Sequence, residues 1–269
     1  MRAVLKYPGA KWVLAEWIAS HFPDTNHYVE PYFGSGAVLL SRAPAPHEVV
    51  NDLAGDVVNL FRTIRDQGAE LAAAVEMTPW AREEYQAWGN DDSTDDPVER
   101  ARRFLVRCWQ AHGARIGNRS GWKHSGTSLT CPVRLWQQLP VRILAVVERL
   151  RSVEIECLPA LTIIGRYSTP DTLIYADPPY MWAARSDRIK GRKSYLHEMT
   201  DADHAALLDA LEAHPGPVVL SGYHCRLYDT RLAHWHVVER QAQAEKAKSR
   251  TEVLWLNEQA ATTRQLRML

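Results

Sequence analysis

The chain has 269 residues, enough to bury a full core in one large domain or in one domain with an insertion. Lysine plus arginine and aspartate plus glutamate each number 32, so the net charge is zero and gives no global sign of a nucleic-acid partner. Cys108, Cys131, Cys157 and Cys225 lie far apart without a CxxC pair, and no apolar run approaches the roughly 18 residues of a membrane span. Lys6, Lys11 and Glu16 stand where a signal peptide would need an apolar centre. These features predict a reduced, cytoplasmic protein with no metal site and no membrane partner.

The segment Leu5-Lys6-Tyr7-Pro8-Gly9-Ala10-Lys11 reads as a turn with flanking lysines. A helical pattern follows, with Val13, Leu14, Trp17, Ile18 and His21 on one face and Pro23 at its end. His27 to Leu40 reads as a short strand, a Gly34-Ser35-Gly36 turn and an apolar helix start. Glycines there let the backbone turn sharply and let a ligand approach closely. Glu48-Val49-Val50-Asn51-Asp52 reads as a second strand, and its terminal acid lies sixteen residues after Gly36. That is the place of the ribose-hydroxyl ligand in Rossmann-like nucleotide sites. Position 39 is Leu39, so the third glycine of the dinucleotide pattern is missing. The site is built for a nucleoside without a pyrophosphate, and S-adenosylmethionine suits it better than NAD.

A helix is predicted over residues 56–65, with Val57, Leu60, Phe61 and Ile64 inward. Residues 69–90 look helical again, and Asp91 to Pro97 looks like an exposed acidic loop or a helix N-terminus. Residues 100–151 then carry ten arginines and Lys123 against Glu148 alone. Within this block Gly113 to Gly126 is rich in glycine and reads as a loop or hairpin presenting Arg115, Asn118, Arg119 and Lys123. Such side chains contact phosphates and base edges.

Ser152 to Leu158 alternates like a strand. Leu173-Ile174-Tyr175-Ala176 reads as a buried strand that runs into Asp177-Pro178-Pro179-Tyr180. The two prolines force a loop there, at the kind of strand end where ligands bind in open α/β sheets. A basic stretch follows with Arg188, Lys190 and Arg192, expected to close over a substrate backbone. Thr200 caps a helix over 201–213 with Leu207, Leu208 and Leu211 on its core face. Pro217 to Tyr223 reads as another buried strand, and His234–Gln243 and Thr251–Asn257 read as an antiparallel pair.

Taken together the motifs resemble the Dam-like (alpha-group) DNA adenine-N6 methyltransferases, in particular their phage-type members. Lys6 to Lys11 is similar to that family's Lys-Trp-Ala-Gly-Gly-Lys opening, and Glu30-Pro31-Tyr32-Phe33-Gly34-Ser35-Gly36 to its Glu-Pro-Phe-x-Gly-x-Gly. Asp177 to Tyr180 matches its Asp-Pro-Pro-Tyr, and Lys248 to Asn257 is similar to the C-terminal hairpin of phage-type relatives. The middle of the chain does not match the pattern associated with reading GATC.

The resemblance implies an α/β fold with a Rossmann-like class I methyltransferase sheet, a C-terminal antiparallel hairpin and an inserted, mostly helical target-recognition domain. The catalytic domain would span residues 1–66 and 152–269, with the insertion at 67–151. The implied cofactor is S-adenosylmethionine, held by Tyr7, Lys11, Glu30, Tyr32, Gly34, Gly36, Asp52 and Asp177. The implied substrate is double-stranded DNA, gripped by Arg115, Asn118, Arg119, Lys123, Arg188, Lys190 and Arg192. Asp177, the Pro178 carbonyl and Tyr180 would be catalytic.

The chemistry needs such residues. The adenine amine is a weak nucleophile because its lone pair is delocalised into the ring. An acceptor aimed at its hydrogens localises that pair and stabilises the developing positive charge. Tyr180 offers a face on which an extruded base can stack, an interaction of roughly 1–3 kcal/mol. The alternatives are a cytosine-N4 or RNA amino-methyltransferase and, further off, a non-catalytic DNA-binding module with a relic cofactor pocket. A protein-glutamine methyltransferase would carry asparagine in place of Asp177.

Overall fold

The computed structural model describes residues 1–87, 94–112, 121–124, 131–182, 195–243 and 249–267. The chain runs α1 (Ala15–Ala19), β1 (His27–Glu30), β2 (His47–Asn51), α2 (Gly55–Glu76), α3 (Arg82–Ala87), α4 (Pro97–Gln110), α5 (Pro132–Gln137), α6 (Leu139–Leu150), β3 (Val153–Glu156) and α7 (Ala160–Arg166). It continues through β4 (Thr172–Ala176), α8 (Asp201–Glu212), β5 (Val218–Gly222), α9 (Arg226–Arg231), β6 (His236–Gln243), β7 (Ser249–Leu256) and α10 (Glu258–Arg267).

The strands form one seven-stranded sheet in the order β3-β2-β1-β4-β5-β7-β6. The first five are parallel, and β7 enters antiparallel between β5 and β6. This is the expected Rossmann-like methyltransferase arrangement with its C-terminal hairpin. The order reverses between β1 and β4, the place where the crevice of an open α/β sheet forms.

Strand periodicity sorts the core into two layers. Tyr28, Leu173, Tyr175 and Val219 face one side, packed with residues of α1, α2, α4 and α6. Val29, Ile174, Ala176, Val218 and Leu220 face the other, packed with α7, α8 and α9. Helix α8 begins with the expected cap: Thr200 and Asp203 form a reciprocal capping box, and Leu207, Leu208 and Leu211 are fully buried. No helix among the described residues is long and apolar enough to cross a membrane.

Four sequence expectations need correction. Helix α1 is only five residues long and ends before Pro23, and Val13 is 87% exposed rather than on the core face. Only a single 3-10 turn, Leu39–Ser41, follows the glycine turn, because Pro44 and Pro46 prevent a helix from continuing. The helix predicted over 56–65 ends at a kink at Gln67 (φ −139°, ψ 38°) and a second helical stretch follows as expected, but instead of running on towards residue 90 it stops at Glu76 and helix resumes only at Arg82.

The fourth concerns the basic block, where most of the described arginines are paired with acids. Arg100 and Arg107 pair with Asp56, Arg102 with Glu84 and Glu99, Arg103 with Glu99, Arg149 with Glu48 and Arg151 with Glu148. The Asp56 pairs tie α4 to α2, the Glu84 pair ties α4 to α3 and the Glu48 pair ties α6 to β2, while the Glu99 and Glu148 pairs stay within one helix or at its end. The acidic stretch resolves in part: Asp96 caps α4 by accepting from the Val98 N–H at 2.9 Å, while residues 88–93 lie outside the described residues.

Candidate active site

Three adjacent strands deliver the site. β1 ends in Glu30 and leads into the Pro31–Gly36 turn, β2 ends beside Asp52, and β4 ends beside Asp177. Gly34 and Gly36 both have positive φ, +50° and +68°. At Gly36 an added Cβ would stand 2.7 Å from the Phe33 ring, so both the backbone and the space demand glycine.

The two oxygens of Asp52 each accept a backbone N–H at 2.8 Å, one from Gly34 and one from Ala54. The carboxylate therefore fixes the glycine turn, and about half of its roughly four acceptor positions remain for a ligand. Burial pushes Asp52 above the usual carboxylate range. Glu30, almost fully buried, accepts from the Tyr28 hydroxyl at 2.9 Å. Burial pushes its carboxyl up to about 8.

These groups line one cavity of about 300 Å³, at the lower end of the range for small-molecule sites. Tyr7, Lys11, Tyr32, Gly34, Asp52 and Asp177 all face it, as does Glu30. Of the eight residues expected at the cofactor, only Gly36 is absent from the lining, and its part is to shape the turn. Tyr195, His197 and Met199 close another side, and the sequence reading did not single them out.

Asp177 stands where the cavity meets the Asp-Pro-Pro-Tyr loop. Its Oδ2 lies 2.9 Å from the Lys11 ammonium, which also donates to the Gly9 carbonyl at 2.9 Å. Burial raises the Asp177 carboxyl to about 6 against the opposing pull of Lys11. Pro178 is buried. The Tyr180 ring carries Lys11 over it at 4.7 Å and meets Tyr223 edge-on at 4.5 Å. Its hydroxyl donates to Glu252 on β7.

The sequence of the D12 class N6 adenine-specific DNA methyltransferase family matches this chain over residues 7–245. The chain belongs to that family. It is similar to the DNA adenine methylase of Salmonella typhi, 23% identical over 250 residues, covering 88% of this chain and 87% of that protein. The DNA adenine methylase of Vibrio cholerae serotype O1 is 26% identical over 221 residues, 78% of this chain and 76% of that one. The DNA adenine methylase of Escherichia coli strain K12 is 30% identical over 109 residues, 39% of each chain. This methyltransferase is thus an enzyme of adenine-N6 methylation in DNA, and S-adenosylmethionine use is implied by its family.

Among the residues expected at DNA, only Lys123 is described. Its N–H donates to the Gln110 carbonyl at 2.7 Å, next to an antiparallel bridge between Ala111 and Trp122. Lys123 therefore stands beside the end of α4, a few residues beyond the 113–120 segment. Arg115, Asn118, Arg119, Arg188, Lys190 and Arg192 lie outside the described residues, as does most of the charged turn between β6 and β7.

The residue most clearly missed is Glu252. It is 3% exposed, and it accepts from both Tyr180 and Ser221. A signal was present: an acid in the otherwise apolar run Val253-Leu254-Trp255-Leu256 of a strand is costly to bury without partners.

Proposed function

We propose that this methyltransferase binds S-adenosylmethionine in the cavity between β1, β2 and β4 and methylates N6 of an adenine flipped out of double-stranded DNA. The donor set fits the cofactor. Asp52 has acceptor positions left for ribose hydroxyls, Tyr32 and Phe33 offer apolar surface, and the raised Glu30 carboxyl would be drawn back to its ionised form by a cationic methionine moiety. S-adenosylmethionine supplies an electrophilic methyl group on a sulfonium. The protein supplies position and charge. Inside a duplex the target amine cannot reach that methyl, so the base must be extruded at a cost of a few kcal/mol.

The observation that carries this reading is the Asp177 carboxylate, held by Lys11 at the cavity wall and followed by a stiff Pro-Pro turn. Asp177 and the Pro178 carbonyl accept the two amine hydrogens and stabilise the positive charge that builds on nitrogen during transfer. Asp177 is ionised above about pH 6, so it acts at neutral pH as an acceptor rather than an acid. Tyr180 supplies the stacking edge of the base pocket. We assign target recognition to residues 67–151, with the segment after α4 as its DNA-facing part, and we place the enzyme in the cytoplasm.

Asp177→Ala tests the assignment. Transfer of labelled methyl to DNA should fall by about 10³ or more, while DNA binding remains largely intact. Mass analysis of the nucleosides identifies the product as N6-methyladenine or N4-methylcytosine. Full activity in the variant would remove the central claim.

A further inference from the structure

The Asp177 and Tyr180 side chains bond to one another within their own loop, and the pair is held from outside it. Both converge, directly or through Lys11, on one residue of the C-terminal hairpin. Oε1 of Glu252 accepts from the Tyr180 hydroxyl, accepts from Ser221 Oγ at 2.7 Å and lies 3.7 Å from the Lys11 ammonium. Lys11 in turn reaches Asp177 at 2.9 Å. Glu252 sits on β7 opposite Arg240 of β6, and its neighbour Val253 pairs with Gly222 of β5. The sheet backbone therefore fixes its position.

We propose that Glu252 is a positioning residue for methyl transfer, which holds the Tyr180 ring through its hydroxyl and shares the Lys11 ammonium with Asp177. This rests on the reading of Asp177 and Tyr180 as the groups that meet the target base. The geometry has a direct consequence. One ammonium serves two carboxylates, so Asp177 receives only part of the neutralisation Lys11 could give. Lys11, Glu252, Tyr180, Tyr175, Tyr228 of α9 and, from the end of β1, Glu30 are, among the described residues, the titratable groups that act on Asp177 or are acted on by it. Deleting the charge of Glu252 leaves Lys11 to Asp177 alone and removes a repelling neighbour. Both effects favour ionised Asp177.

Single-turnover methyl transfer from S-adenosylmethionine to DNA, followed against pH, tests this. Glu252→Gln retains an oxygen acceptor for the two hydroxyls and removes only the charge. Its cofactor Kd should stay within about threefold, its rate at neutral pH should fall about tenfold because Asp177, paired with Lys11 alone, is a weaker acceptor for the amine hydrogens, and the acid limb of its pH profile should move down by about one unit. A purely structural role would lower the melting temperature and leave the limb in place. Tyr180→Phe removes the hydroxyl from the other side. It should slow transfer with cofactor Kd unchanged, and its loss should not add to that of Glu252→Gln. If Glu252→Gln does not fold, Tyr180→Phe carries the test, and a wild-type rate there overturns the proposal. A wild-type rate and limb in Glu252→Gln, beside an inactive Asp177→Ala, overturns the role of Glu252 alone. Full activity in Asp177→Ala overturns the reading beneath it.

Discussion

Raising the pH from about 6 to about 8 is expected to destabilise the cofactor-free enzyme through a single carboxyl. Glu30 is 2% exposed, and burial raises it from 4.5 to about 8. In the unfolded chain it loses its proton first, so between these values the native state binds one more proton. Its contribution is fully present below about pH 4.5 and is lost as the pH rises through about 8. Each unit inside the window is worth about 1.4 kcal/mol, so two units give about 2–3 kcal/mol. Asp177 is raised only to about 6, and its own contribution no longer changes appreciably above that. His224 is raised by its bonds to Asp229 and Glu239 and His214 is lowered by burial, so the two histidines act in opposite senses. Comparison with Glu30→Gln removes both, because they are common to the two proteins. Urea unfolding across this range should show the wild type losing about 2–3 kcal/mol relative to Glu30→Gln, which retains an acceptor for the Tyr28 hydroxyl. Parallel curves would refute the assignment. A cationic ligand beside Glu30 should also displace its proton. Calorimetric binding heats for S-adenosylmethionine near pH 7 should then depend on the ionisation enthalpy of the buffer in the wild type and not in the variant.

Two further substitutions probe the frame around the site. Gly36→Ala forces a side chain into a positive-φ position and against Phe33, and should cost about 1–3 kcal/mol in denaturant melts; an unchanged midpoint would show that the turn relaxes freely. Arg149→Ala leaves Glu48 buried with Arg42 as its remaining cation, and should cost about 3 kcal/mol, whereas Arg149→Met paired with Glu48→Leu should recover most of it; equal losses would argue that packing, not charge, holds α6 to β2.

Much of the site was legible because its residues sit at the ends of strands with strong local signatures. The apolar run 173–176 and the two prolines placed Asp177 at a strand end, and the glycines with Asp52 marked the neighbouring strands. Their convergence follows from parallel strand order, which brings the ends of β1, β2 and β4 side by side. Glu252 was not legible in the same way. Its partners are 72, 31 and 241 positions away along the chain, and only the antiparallel entry of β7 beside β5 brings them together. Tyr195 and His197 escaped for a similar reason, since no repeat or turn signal ties them to the cavity they line. The error at Val13 was one of period: the apolar pattern continues for longer than the five-residue helix that uses it.

The arginines show why a charge count over a window misjudges a surface. Arg100, Arg102, Arg103, Arg107 and Arg149 pair with Asp56, Glu84, Glu99 and Glu48, all of which precede residue 100 and so fell outside the count. Arg142 donates to the Ala3 carbonyl at 3.1 Å, anchoring the N-terminus. The electrostatic case for DNA therefore narrows from the block as a whole to Lys123 and the segment it leads from. The described residues on its two sides, Ala111 and Trp122, form a bridge at the end of α4, and Trp109 in the same helix donates to the Val4 carbonyl at 2.8 Å while Lys6 lies over its ring at 4.1 Å. The described residues that flank 113–120 are thus joined through Trp109 and Lys6 to the stretch that carries Lys11, the ammonium beside Asp177.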